Sequence, residues 1–215
     1  MTDERKIFYQ KQAEKIIQAL ERRYITGIYA PTKEEAFRLV MKEIPSGATV
    51  GLGGSTTVAE SGLIDELRKG DLNLLDRYQP GLTREQVYEL RLQNLRADVF
   101  ISSTNAITLD GELVNIDGMG NRVAAMLFGP SKVIIIAGVN KIVEDVEAGI
   151  RRIKTVVAPM NSIRLGRNTP CAQTGICDEY ACLPPERICN KIAVIEGEPK
   201  KGRMVVMLVG EPLGF

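Results

Sequence analysis

The chain has 215 residues, of which 44% are apolar and 26% charged, with 28 Lys+Arg against 27 Asp+Glu; this is the make-up of one globular domain, and it excludes a disordered chain and any electrostatic footprint for nucleic acid or an anionic membrane surface. No apolar run reaches the roughly 18 residues that cross a bilayer, and the opening MTDERKIFYQKQAEKIIQAL lacks the apolar centre of a signal peptide, so the cytoplasm is the expected compartment. There is no histidine, which excludes Ser-His-Asp and Cys-His catalysis, imidazole acid/base chemistry and every His-containing zinc site.

The first segment places Ile7, Ile16, Ile17 and Leu20 on one helical face between Lys and Glu residues, an amphipathic helix that ends near Arg23 within a helical lead-in over residues 1–30. TKEEAFRLVMKEI is a second helix, with Thr32 as N-cap and Glu35 as its capping-box partner. GATVGLGG predicts a buried strand running into glycines, SGLIDELRKG a helix over residues 61–70, LNLLDR a strand, and TREQVYELRLQNLRA a helix capped by Thr83 and Gln86. DVFISS is then a strand, and AITLDGELVNI is a hairpin with Asp110-Gly111 as a two-residue turn. NRVAAMLFG predicts a helix, KVIIIAGV a buried strand, and EDVEAGIRRIKTVV another helix. The tail closes with NKIAVIE and RMVVMLVGE, two strands separated by a polar turn with Gly197, Pro199 and Gly202. Such alternation predicts one α/β domain over residues 1–215, a mainly parallel sheet with helices on both faces.

Ligands in such sheets collect at the carboxyl ends of strands. After the first predicted strand come Gly53 and Gly54, which let a ligand approach the backbone, and Ser55, Thr56 and Thr57, which add hydroxyls at a helix start; a plain glycine turn with an N-cap is the alternative. After DVFIS come Ser103, Thr104 and Asn105; after the hairpin come Asn115, Asp117, Asn121 and Arg122; after KVIIIAGV come Asn140 and Lys141. Each stretch alone is a polar turn. Together they gather hydroxyls, amides, a carboxylate and two cations at successive strand ends, the constellation of a site for a small anionic metabolite.

The run TNAITLDGELVNIDGMGNRVA, with GLGGSTTVAESGLIDEL and LLDRY before it, resembles the LUD-domain family, named for lactate utilisation, over nearly the whole chain. The resemblance implies the fold shared by ribose-5-phosphate isomerase, glucosamine-6-phosphate deaminase and the CoA transferases, and a pocket at the strand ends. It implies Gly53 to Thr56 as anion contacts and Lys141 as the lysine that faces the ligand. Asn105 stands where the related methylthioribose-phosphate isomerases carry a catalytic aspartate, and an amide cannot take that proton. Asp117 is the nearby acid expected to substitute, since Asp110 shapes a turn. As a relative of the lactate-utilisation C subunit, the chain is expected to bind a hydroxy-acid, keto-acid or phosphorylated metabolite within a system that oxidises lactate to pyruvate, beside iron–sulfur partner proteins. A free-standing enzyme acting on a phosphosugar or acyl-CoA, or a subunit without catalysis, are the alternatives, and a homo-oligomer is open in each.

All four cysteines, Cys171, Cys177, Cys182 and Cys189, fall in PCAQTGICDEYACLPPERICN, inside a cysteine-rich loop over residues 160–190. Gaps of five, four and six residues contain no Cys-x-x-Cys, which excludes a tight knuckle. Gly175, Pro184 and Pro185 can still fold the loop so that four sulfurs meet. The readings are an all-cysteine site for zinc or an iron–sulfur cluster, reduced thiols packed in a flap, or a disulfide or redox pair. Arg187 lies near Cys189, where it can lower a thiolate pKa or serve as an ion-pair partner.

Overall fold

The computed structural model describes residues 2–60 and 62–215; Met1 and Ser61, the residue that opens the predicted helix over 61–70, lie outside the described residues. Helix α1 (Asp3–Arg22) has Asp3 and Glu4 in its first turn and Arg22 in its last, matching the helix dipole, and buries Ala13, Ile16, Ala19 and Leu20. Tyr24, in the left-handed region at φ 61, turns the chain into β1 (Thr26–Ala30). There follow α2 (Lys33–Lys42), β2 (Thr49–Leu52), α3 (Thr56–Glu60), α4 (Leu63–Lys69), β3 (Asn73–Leu75), α5 (Arg84–Gln93), β4 (Val99–Ser102), β5 (Ala106–Thr108) and β6 (Leu113–Asp117). The remainder is α6 (Asn121–Leu127), β7 (Lys132–Gly138), β8 (Ile142–Val143), α7 (Val146–Arg152), α8 (Ala158–Arg164), α9 (Pro170–Thr174), β9 (Lys191–Ile195) and β10 (Met204–Val209). Thr32 caps α2 through the Glu35 amide, and Thr83 with Gln86 forms a complete capping box on α5.

Six strands form a wholly parallel sheet in the order β1-β10-β7-β4-β2-β3, and four form a second, mixed sheet in the order β8-β5-β6-β9. Successive β7 side chains alternate between two cores. Ile134 and Ile136 join Val50, Leu52, Ile101 and Met207 under α2 and α4, while Val133 and Ile135 join Phe100, Val206 and Leu208 under α1, α6 and the second sheet. A smaller cluster of Ala106, Val114, Ile116, Ile153 and Val157 fixes α7 and the turn after it against the second sheet. The mainly parallel α/β class with helices on both faces is therefore observed.

Three local expectations change. Residues 26–30, expected within a helical lead-in, form the edge strand β1; a Cβ on Gly27 would stand 2.9 Å from Ile17 Cγ1, so glycine lets α1 lie close on this strand. The hairpin turn has three residues, because the Thr108 amide bonds the Glu112 carbonyl and Leu109, Asp110 and Gly111 lie between, with Gly111 at φ 90. The helix predicted to stop at residue 157 continues through a wider π turn at Ile153–Val157 into α8. Pro159 follows that turn; it has no N–H to donate, and its ring crowds the carbonyl four residues back. Both expected tail strands form, β9 in the second sheet and β10 in the first between β1 and β7.

Candidate functional site

A cleft of about 300 Å³ opens at the carboxyl ends of β2, β4 and β7, with the end of β6 and the α7–α8 turn as walls. Lys141 forms its floor and is only 4% exposed. Its ammonium donates to Thr57 Oγ1 at 2.7 Å, Ser103 Oγ at 2.7 Å and the Thr104 carbonyl at 3.2 Å. Three donors thus meet three neutral oxygens, and among the described residues no carboxylate pairs with this lysine. Burial first, then the nearby Arg152 and Arg122 cations, push its pKa from 10.5 down to about 7.

Arg122 and Asp117 build the wall beside it. The Arg122 guanidinium meets Asp117 Oδ1 at 2.8 Å, the Ser103 carbonyl at 2.7 Å, Asn115 Oδ1 at 2.7 Å and Asn105 Oδ1 at 3.0 Å. Asp117 Oδ2 accepts the amides of Arg122 and Val123, each at 3.2 Å, capping α6. Both carboxylate oxygens are therefore engaged by donors within the protein, which gives Asp117 a structural task in this geometry. Asn105 lines the cleft too, with Oδ1 also accepting from the Ile116 amide at 2.9 Å and its carbonyl from Arg152 at 2.8 Å.

Ser103, Thr104, Asn105, Asp117, Asn121, Arg122 and Lys141 all reach this one cleft, as do Gly54, Ser55 and Thr56. Gly53 does not line it; a Cβ there would press within 2.4 Å of Ser102 Oγ, so this glycine serves the packing of β2 on β4. Gly54 makes room for a side chain: a Cβ would stand 2.9 Å from Arg77 Nη1. Ser55 Oγ accepts from the Val58 amide at 3.4 Å, the N-cap arrangement weighed as the alternative for this loop.

Arg77, Arg91, Arg164 and Arg167 also line the cleft, at its outer end, and sequence reasoning missed them. Arg77 could have been found, since LLDRY puts it just beyond a strand end like the residues that were. Arg91 sits on α5, where a charge reads as a solvated helix face, and Arg164 ends α8, within the stretch expected to be the cysteine-rich loop over residues 160–190. Arg77 lies 5.9 Å from the Tyr78 ring centroid. Burial lowers its pKa most; Tyr78 opposes this, and Arg91 and Arg164 reinforce it. Tyr78 in turn braces the loop, its hydroxyl donating to the Gly53 carbonyl at 2.9 Å and accepting the Ser55 amide at 3.1 Å.

The four cysteines line a second, much smaller cavity of about 20 Å³, separated from the cleft by a wall that includes Cys189 and Ile188. All four are free thiols. Burial raises the pKa of Cys177 and Cys182, and that of Cys189 to about 11, with the neighbouring sulfurs adding to it. Arg187 lowers Cys182 and Cys189 by less than burial raises them, and its main work is to gather the carbonyls of Glu179, Cys182 and Cys189 at 3.2, 3.1 and 3.0 Å. Among the described residues no three Cys, Asp or Glu side chains already stand around a point that would hold a metal. No described helix is long and apolar enough to cross a membrane.

The LUD domain profile matches residues 13–209, and the chain belongs to the LUD-domain family. No curated protein matches it. Among solved structures it is similar to a DUF162 family protein from Deinococcus radiodurans, at 13% identity and TM-score 0.49, covering 95% of this chain and 96% of that one. It is also similar to ribose 5-phosphate isomerase from Plasmodium falciparum, at 23% identity and TM-score 0.34, over 52% of each chain.

Proposed function

We propose that this LUD-domain protein binds a small anionic metabolite in the cleft floored by Lys141, and that it does so within a system that oxidises lactate to pyruvate, beside iron–sulfur partner proteins. Membership of a family associated with lactate utilisation supports the setting. One observation carries the binding: a buried ammonium with only neutral acceptors about it, a charge that an incoming anion would compensate. Hydroxyls of Thr57 and Ser103 hold that ammonium in place, so little order is lost on capture. Thermal melts with lactate, pyruvate, ribose 5-phosphate and acetyl-CoA test the reading. At least one of these anions should raise the midpoint, and Lys141→Met should abolish the rise while the variant remains folded. A rise confined to the sugar phosphate or the thioester would favour a free-standing enzyme over a subunit of the lactate system, and no rise with any anion would refute the site.

We propose the cysteine segment, in addition, as a separate thiolate site for zinc or an iron–sulfur cluster, although among the described residues its side chains do not stand in coordinating positions. Its support is that the four cysteines, spread over residues 171–189, all line one cavity. The loop would have to draw them closer to complete coordination.

A further inference from the structure

We infer that the cleft takes a ligand with two anionic groups, one on the Lys141 floor and one in the crescent formed by Arg77, Arg91 and Arg164. This rests on the proposed anion site and narrows it to a preferred chemical class: a phosphorylated or dicarboxylic small acid, bound more tightly than a simple monocarboxylate such as lactate.

Three observations at the outer end carry it. Arg77, Arg91 and Arg164 line the same cleft, and among the described residues none of the three forms an ion pair with a carboxylate. Their strongest polar contacts are weak counterweights for a positive charge: a tyrosine ring for Arg77, the Met119 sulfur at 3.4 Å for Arg91, and Asn161 Oδ1 at 2.7 Å for Arg164. The buried Nε of Arg91 has no hydrogen-bond partner. Buried donors are ordinarily satisfied, so Arg91 adds an uncompensated donor to this group of cations. Like charges brought together without anions cost stability, and planar guanidiniums in a crescent match the oxygens of phosphate or carboxylate. Arg122 cannot do this work, because Asp117 already balances its charge. The cations that act on Lys141 are Arg152 and Arg122, whereas those that act on Arg77 are Arg91 and Arg164, so the floor and the three arginines are distinct groups within one cleft; the cleft volume of about 300 Å³ exceeds what a three-carbon acid fills.

Calorimetry with three probes of one carbon skeleton tests this: glycerate, with a carboxylate only; glycerol 3-phosphate, with a phosphate only; and 3-phosphoglycerate, with both. In the unaltered protein 3-phosphoglycerate should bind at least about tenfold more tightly than either single-group probe. A probe too weak to detect counts as the larger ratio. In Arg77→Met and Arg164→Met the advantage over glycerate should fall to within about threefold, with glycerate affinity unchanged. Arg164 is exposed, so its variant remains informative if Arg77→Met fails to fold. Glycerol 3-phosphate binding as well as 3-phosphoglycerate, or an advantage that survives in both variants, would overturn the two-point inference and leave the Lys141 site standing. If none of the three binds, the site and the inference fall together.

Discussion

Lys141 holds its charge without a counterion, so its proton is linked both to folding and to anion capture. An unfolded lysine titrates near 10.5, whereas this one titrates at about 7 in the fold. Between those pH values the unfolded chain carries the extra proton, so this residue's contribution to stability rises with pH across the window, and the cost of burying the ammonium is fully present below about 7. Anion binding needs the ammonium and should run the other way. Affinity for glycerate, whose carboxylate stays ionised, should weaken by up to about tenfold per pH unit above about 7. Calorimetry between about pH 6.5 and 8.5 should show that slope, and Lys141→Met should flatten it. Asp117 makes the opposite case. Its removal in Asp117→Ala leaves the buried Arg122 guanidinium without a counter-charge and should cost about 3 to 5 kcal/mol in urea unfolding; a loss below about 1 kcal/mol would free Asp117 for the acid/base role that its sequence position suggests. The strand-end rule found Lys141, Ser103 and Thr104 because each follows an apolar run directly. What Gly53 and Gly54 make room for was not legible, because it depends on Ser102 and Arg77, which are remote in sequence.

At the level of elements, α5 is the weak one. It has no fully buried residue, so local terms such as its capping box carry much of its stability, and it bears Arg91 in its last turn. Thr83→Ala should cost about 1 kcal/mol locally. Hydrogen exchange should then show α5 amides opening about fivefold more often with the global urea midpoint nearly unchanged, and 3-phosphoglycerate affinity should fall with them. Legibility followed the same physics of burial. The run KVIIIAGV declared β7 because a strand covered on both faces is apolar throughout. TGIYA was missed since an edge strand is covered less completely and Gly27 interrupts its pattern. The extension of α7 into α8 was hidden by Pro159, which usually ends a helix and here sits just beyond a widened turn. In α5 and α8 helical periodicity located the elements or their neighbourhood, yet no pattern within either segment says that Arg91 and Arg164 face one another across a cleft.

On the scale of the molecule, the stretch from residue 165 to 190 contributes little to any core: Ile176, Tyr180 and Leu183 are exposed, and its regular structure is the five-residue α9. A loop of that length without its own core is commonly pinned by something other than apolar burial. If thiolates pin it, protein purified without oxygen should carry close to one equivalent of zinc or one cluster per chain by elemental analysis, and Cys177→Ser should lose it. Less than about a tenth of an equivalent after reconstitution would leave reduced thiols in a flap. The position of β10 has a consequence for how the protein is made. Within the sheet β1 pairs only with β10, Thr26 beside Val205, and β7 also needs β10 along its other edge. A ribosome delivers β1 well before β10. From the emergence of β7 until that of β10 the growing chain therefore carries two strands with open edges, able to pair with whatever strand meets them, and the main sheet closes only when β10 slots between them.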